Sequence, residues 1–195
     1  KYIAEELHRR NPDFKLMWLS NSENNKFPDY ITPVRMGSIK KFYHILTSKV
    51  IIHNVRYYLG VKKRKGQIYV QTWHAGYGPK KIEGEIENLL DAEYIQSAKY
   101  DGEITDVILA GSKLTENQFQ NYFWLNKNCE ILKVGLPRND FLINNKENSE
   151  LKRRIRKNIF GNENNQDVLI LYVPTYRDDK SIEGNKINFN EVIKE

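Results

Sequence analysis

Short runs of apolar and β-branched residues recur along this chain, each too brief for a helix of ordinary length. They lie at residues 14–19 (FKLMWL), 49–54 (KVIIHN), 67–73 (QIYVQTW), 106–110 (DVILA) and 130–134 (EILKV). Continuous apolar runs of this length read as strands buried on both faces. Amphipathic stretches separate the later ones. One covers roughly residues 85–99, with Ile86, Leu89, Leu90 and Ala92 at helical spacing. Another follows Ser112, a residue suited to cap it, with Leu114, Phe119 and Phe123 on one side. A short helix precedes the first strand. Strand and helix in alternation predict an α/β fold with a parallel, doubly wound sheet.

The chain changes character after Val134. Residues 135–140 (GLPRND) are turn-rich, and a basic amphipathic helix is expected over residues 149–160. Residues 161–166 are a polar linker. Residues 167–173 (DVLILYV) read as a strong buried strand that ends at Pro174. These signals divide the chain into a domain over 1–160 and the start of a second over 167–195. The sequence opens without Met and stops in mid-pattern, as expected of a piece of a longer protein.

Composition narrows the function classes. With 12 Tyr, 8 Phe and 3 Trp the chain is too aromatic for a disordered tract. A net charge of +6 favours anionic partners: phosphate-bearing substrates, an anionic membrane surface or nucleic acid. The single cysteine, Cys129, excludes an intrachain disulfide and a cysteine-based metal site, and points to a reducing, cytosolic compartment. The first residues lack the apolar core of a signal peptide, and no apolar run approaches a membrane span. The 4 His have no tight ligand spacing, so a histidine metal site is not expected; His8 and His44 sit in helical surroundings. Neither a GxxxxGK[ST] loop nor a GxSxG elbow occurs.

Three strand ends could carry chemistry, since ligands in open α/β sheets sit outside the carboxyl ends of strands. At the first, Trp73 and His74 leave a strand and enter a glycine-containing loop that includes Gly76, with Lys80 and Lys81 beside it. A histidine there could take a proton from a hydroxyl, or could simply hydrogen-bond the loop. At the second, Arg138 could hold a phosphate, and Asn139 or Asp140 could cap the next helix. The plainer reading is a helix-entry turn with Arg138 paired to Asp140. At the third, Pro174 aims Thr175 and Arg177 at a strand edge, as part of a phosphate site or an ordinary turn. His53 and Asn54, followed by Arg56, lie at a further strand end. The basic clusters at 62–65 and 152–157 read as solvated faces or as contacts to anionic lipid or a polyanionic substrate.

The segments QTWHAG at 71–76 with Lys80 and Lys81, GLPRND at 135–140 and YVPTYRD at 172–178 occur in that order. Together with residues 2–7, 18–19 and 50–56, they resemble the CDP-glycerol glycerophosphotransferase family, which includes teichoic acid polymerases and primases. The resemblance covers essentially the whole chain. It implies the N-terminal, Rossmann-like acceptor-side domain of a two-domain GT-B-type transferase, with 167–195 beginning the nucleotide-donor-binding domain. It implies a CDP-glycerol or CDP-ribitol donor, a lipid-linked polymer acceptor at an anionic membrane surface, and release of CMP. It also implies a peripheral location on the cytoplasmic face of the bacterial cell membrane. His74 matches the family's motif histidine, a base for the acceptor hydroxyl. Trp73, Gly76, Lys80, Lys81, Asn54, Arg138, Asn139, Thr175 and Arg177 are the expected substrate-binding residues.

The sequence departs from the pattern at residues 75–79 (AGYGP), where many members carry Gly and a Thr-Pro-Leu-like continuation. The family's second histidine and its Asp-Tyr-Ser-Ser segment have no counterpart here, so the 195 residues alone are expected to be inactive. Without a carboxylate cluster, no metal and no cofactor are expected. Two rival readings share the fold or the charge: a sugar-nucleotide GT-B glycosyltransferase of capsule synthesis, and a non-catalytic basic binding module. No nucleic-acid-binding motif is present, and no nucleic-acid partner is expected.

Overall fold

The computed structural model describes residues 1–21, 26–56, 61–75, 81–161 and 170–173. The elements in order are α1 (Tyr2–Arg10), β1 (Leu16–Ser20), β2 (Ile31–Arg35), α2 (Ile39–Thr47), β3 (Val50–His53), β4 (Ile68–Gln71), α3 (Ala92–Ile104), β5 (Val107–Ala110), α4 (Lys113–Tyr122), β6 (Glu130–Lys133), α5 (Asp140–Asn144) and α6 (Ser149–Phe160). Short 3-10 turns cover Glu83–Leu89 and Pro137–Asn139. The chain forms two units, 1–146 and 147–195, and α6 belongs to the second.

Every strand pair is parallel, as the strand–helix alternation requires. The expected single sheet is divided, however. β3-β4-β5-β6 form one sheet in sequence order, and β1-β2 form another. Residues 31–35 escaped the sequence reading because Pro33 interrupts the run; a residue without an N–H belongs on a sheet edge, where β2 lies.

The registers Ile51↔Tyr69, Gln71↔Ile108 and Ile108↔Ile131 place these side chains on one face of the larger sheet. That face holds both apolar cores. One gathers Ile45 and Tyr69 with Leu19, Met36, Ile51, Val61, Tyr100 and Ile104. The other gathers Ile108, Ala110, Phe119 and Phe123 with Trp73, Ile82, Leu125, Cys129 and Ile131. α2, α3 and α4 cover them. On the opposite face Val50, Ile52 and Ile68 remain exposed.

The helix expected over residues 85–99 is two elements. Asp91 adopts an extended backbone, and its carboxylate accepts hydrogen bonds from the amides of Glu93 and Tyr94, which starts α3 afresh. The cap at Ser112 is as expected, its hydroxyl accepting from the Thr115 amide. Phe119 and Phe123 are buried, but Leu114 is exposed. The basic helix α6 forms over Ser149–Phe160, capped by Asn148 and ended by Gly161 in the left-handed conformation. Of the strand expected at 167–173, only residues 170–173 are described, and they carry no regular structure.

α3 ends under a loop that comes unusually close. Gly102 accepts a hydrogen bond from the Asn126 amide, and the Asn126 side chain donates to the carbonyls of Glu103 and Thr105. A Cβ on Gly102 would stand 2.4 Å from the carbonyl oxygens of both Phe123 and Trp124. Backbone cannot yield as a side chain does. Gly102→Ala is therefore expected to destabilise the chain by about 2–4 kcal/mol in urea unfolding, although alanine is the better helix former. A variant as stable as the parent would show that the loop moves freely.

Candidate functional site at the carboxyl edge of the sheet

β3 and β4 end side by side, and the residues that follow them meet. Nδ1 of His74 lies 3.0 Å from the main-chain carbonyl of Asn54. A carbonyl only accepts, so Nδ1 carries the hydrogen, and in a neutral imidazole that leaves the lone pair on Nε2. Arg138, arriving from beyond β6, donates through Nη1 to the main-chain carbonyl of His74. The His74 side chain is exposed. Asn54, His74 and Arg138 are thus drawn together from segments distant in sequence. Their contacts to one another run through main-chain carbonyls on the accepting side.

Trp73 sets the direction in which His74 leaves the strand. Its φ is +53°, a left-handed conformation that a bulky side chain adopts only under constraint. The constraint comes from beneath. The Trp73 amide donates to Oε1 of Gln71 at 2.9 Å. Gln71 is fully buried, and its Nε2 donates to the carbonyl of Val55 and approaches the Tyr69 hydroxyl. The Tyr69 hydroxyl donates to Asp101 at 2.7 Å. Asp101 and Glu83 each accept from the Arg56 guanidinium at 2.7 Å. Above the guanidinium, within cation–π range, lie the rings of Phe123 (4.4 Å), Trp73 (5.2 Å) and Trp124 (5.9 Å). The Trp73 ring also meets Phe123 edge-on at 4.9 Å.

Tyr94 completes the cluster by donating to Glu83 at 2.6 Å. Burial first, and then the Glu83 carboxylate, push its phenol pKa well up, so it stays a donor. Burial pulls the pKa of His53 below the ordinary histidine value despite the opposing pull of Asp101. His53 is half-buried next to the site rather than presented to it.

The expected residues are only partly assembled. Trp73, His74, Asn54 and Arg138 come together. Lys81 is exposed beyond the loop. Asn139 makes no side-chain cap to α5, and Arg138 bonds His74 rather than Asp140; the Pro137–Asn139 turn starts the helix through its backbone instead. Gly76, Lys80, Thr175 and Arg177 lie outside the described residues. The basic cluster at 62–65 is partly structural, since the Lys63 ammonium is held by Asp106 and the Ile104 carbonyl. It lines an open depression of about 500 Å³ at the opposite, amino edge of the sheet. Among the described residues no group of acidic, histidine or cysteine side chains could hold a metal.

Sequence reasoning named Gln71 and Arg56 only as members of their motifs, without a role, and passed over Glu83 and Asp101. The available signal was a polar residue inside an otherwise apolar strand, as Gln71 is.

Fold and site define a Rossmann-like α/β domain that offers a loop-borne histidine, with an arginine beside it, at the carboxyl ends of parallel strands. The model of the CDP-Glycerol:Poly(glycerophosphate) glycerophosphotransferase family matches residues 1–195, and the chain belongs to that family. It is 26% identical over 195 residues to the teichoic acid poly(glycerol phosphate) polymerase of Staphylococcus epidermidis, covering 97% of this chain and 26% of that protein. It is 27% identical over 201 residues to the enzyme of the same name from Bacillus spizizenii, covering 99% of this chain and 49% of the relative. It is 28% identical over 197 residues to the teichoic acid glycerol-phosphate transferase of Staphylococcus aureus, covering 97% of this chain and 48% of the relative. The chain thus spans half or less of the length of these relatives. Among solved structures it resembles the wall teichoic acid polymerase TagF, with TM-score 0.80 and 25% identity over 91% of this chain and 44% of that one. A histidine variant of TagF soaked with CDPG shares the fold, with TM-score 0.74 and 22% identity over 82% of this chain and 41% of that one. The family and the fold class expected from the motifs are borne out.

Arg56 is expected to dominate the stability of this region. Arg56→Met would leave two buried carboxylates without a cation, at a cost of about 3–5 kcal/mol. Adding Glu83→Gln and Asp101→Asn should recover part of that loss. Urea unfolding of the single and triple variants measures both; a loss under about 1 kcal/mol for Arg56→Met would mean the carboxylates find other partners.

Proposed function

We propose that the protein transfers glycerol phosphate, or ribitol phosphate, from a CDP-linked donor to a hydroxyl of a lipid-linked teichoic-acid-like polymer, releasing CMP. The observation that carries this reading is the 3.0 Å contact between Nδ1 of His74 and the Asn54 carbonyl. With Nδ1–H held by the Asn54 carbonyl, Nε2 is the ring's basic atom. It takes the proton of the acceptor hydroxyl as that oxygen attacks the distal phosphorus of the donor diphosphate. The bond from that phosphorus to the bridging oxygen breaks, and CMP departs with the electron pair. Membership of a glycerophosphotransferase family and likeness to poly(glycerol phosphate) polymerases support the donor and the reaction class.

Arg138 steadies the loop that bears His74, and its remaining N–H groups suit a phosphoryl oxygen. Lys80, Lys81 and Arg177 are the further cations of this reading, and Trp73, Gly76, Asn139 and Thr175 its other substrate-binding residues. Catalysis then rests on positioning and charge stabilisation. Glu83 and Asp101, the buried acids behind Trp73, are both engaged with Arg56, and in this reading the reaction uses neither a metal nor a cofactor. In this reading residues 1–160 serve the acceptor and 167–195 begin the donor-binding domain. The net positive charge and the basic helix α6 fit peripheral attachment to the anionic cytoplasmic face of a bacterial membrane. Among the described residues, no helix is long and apolar enough to cross one.

His74→Ala in the full-length protein is expected to lower CMP release from CDP-glycerol by about 10²–10⁴-fold, with donor binding changed only a few-fold. Release close to that of the parent removes His74 from the mechanism. Parallel assays with CDP-ribitol and UDP-sugars separate the polyol transferase from a glycosyltransferase. Turnover should also survive excess EDTA; its loss, restored by a divalent cation, would replace the metal-free scheme.

A further inference from the structure

We infer that Lys113 and Lys133, fixed by Glu116, form a subsite for a phosphate of the acceptor polymer that lies behind the reacting hydroxyl. The identity of the polymer rests on the transferase reading. The cluster stands on geometry. Glu116 lies in the first turn of α4, with only 6% of its side chain exposed. One carboxylate oxygen accepts from the Lys113 ammonium at 2.9 Å, and the other from the Lys133 ammonium at 3.0 Å. Together these bonds hold its pKa below the ordinary glutamate value. The lysines themselves stay open to solvent, with 72% and 69% of their side chains exposed.

The charge balance sets this cluster apart from an ordinary surface ion pair. One carboxylate is neutralised by one cation, and Lys113, three residues before Glu116 on the same helix, supplies it. Lys133 comes from another element and leaves a surplus of one positive charge. The Arg56 cluster is the reverse: two acids around one cation, closed to solvent. An ammonium carries three N–H donors, so each lysine keeps two beyond the one spent on Glu116. Those donors sit on heads whose positions are already set, which removes ordering entropy that a bound phosphate would otherwise have to overcome. Exposed ion pairs contribute little to stability, so stability is a weak reason for the second lysine.

Position selects the ligand. Lys133 is the last residue of β6, and Lys113 opens α4 just after β5, so both stand at the carboxyl edge that carries His74. The registers Gln71↔Ile108 and Ala110↔Lys133 put Lys133 level with the point where the chain leaves β4 for Trp73. Two strand spacings, about 10 Å, separate β6 from β4. The segment after β6 crosses that interval. The Val134 amide donates to the Ala110 carbonyl, Leu136 stands over Gly111, and Arg138 bonds the His74 carbonyl. Arg138 and the two lysines therefore form a row of cations from β4 toward β6. A single phosphate is too small to reach along that row, and the two phosphoryl groups of a donor diphosphate are immediate neighbours. A chain with a phosphate on every polyol spans it: with the terminal hydroxyl at Nε2 of His74, the preceding phosphates lie toward β6.

Binding tests the subsite without turnover. Isothermal titration calorimetry on the full-length protein compares glycerol 3-phosphate, a synthetic tri(glycerol phosphate) and CDP-glycerol. The triple variant Lys113→Gln/Glu116→Gln/Lys133→Gln removes both cations and leaves no unpaired acid behind. Lys133→Gln alone keeps the Lys113–Glu116 pair. Lys15→Gln, at an exposed position before β1, loses the same net charge as the triple variant. The trimer should bind the parent more tightly than glycerol 3-phosphate does. Its affinity should fall about 10-fold in the triple variant and about 3-fold in Lys133→Gln, with the other two ligands changed less than about 2-fold. Lys15→Gln should leave all three as in the parent. Unchanged trimer binding in both lysine variants overturns the inference, as does a trimer that binds the parent no better than glycerol 3-phosphate. An equal loss in Lys15→Gln overturns it in favour of net charge, and a loss confined to CDP-glycerol in favour of a donor contact. CMP release by the parent is assayed separately, so failure of the transferase reading is told apart from failure of the subsite.

Discussion

A guanidinium with 2% of its surface exposed has to be answered by charge, and Arg56 is answered by two carboxylates. This is the interaction on which the rest of the site depends. Among the described residues, the non-glycine residues with left-handed backbone are Trp73, Glu83 and Trp124, and all three touch Arg56. Each such conformation costs on the order of 1 kcal/mol or more. The cost is met where the strain can be held: Glu83 by its ion pair, the two indoles by cation–π contact with the same group. Strain and charge are concentrated around one buried atom group, directly behind the loop that carries His74.

From Arg56 the constraint passes outward through unlike contacts. Asp101 fixes the Tyr69 hydroxyl, Tyr69 approaches Gln71, and Gln71 holds the Trp73 amide. Each partner is buried or half-buried, where a hydrogen bond has little competition from water and an unmade one is costly. The position of an exposed histidine is therefore decided inside the domain. Gly102 takes part from the other side, because only a residue without Cβ lets Phe123 and Trp124 come down over the guanidinium.

How much of this was legible in the sequence follows from what each feature depends on. The strands of the larger sheet announce themselves by local apolar runs, and Ser112 by the chemistry of its own side chain. Those features are local. β2 was hidden because Pro33 suppresses a strand signal in the interior of a run, while tertiary placement makes it acceptable at an edge. The single helix expected over residues 85–99 failed because hydrophobic spacing carries across a break that Asp91 imposes. The site divides the same way. His74 and Arg138 could be proposed from strand ends and motif order. Arg56, Glu83 and Asp101 could not, because an ion pair across 27 or 45 residues leaves no periodicity. Arg56 looks like an ordinary surface arginine until the fold buries it.

The choice of a main-chain carbonyl to orient His74 has an electrostatic meaning. A carboxylate on Nδ1 would serve the same geometric purpose and would raise the basicity of the ring. It would also place a full negative charge beside a site that, in the proposed transfer, takes a diphosphate and a phosphate-rich polymer. At about 4 Å and an effective dielectric of 20, two unit charges of like sign repel by about 4 kcal/mol. The Asn54 carbonyl supplies direction and tautomer with a dipole alone. The acids that the local fold requires are kept under Trp73 with their charge opposed by Arg56, and Arg138 contributes positive charge at the surface. The buried cluster can thus fix the backbone at Trp73 without opposing the anions of the proposed reaction.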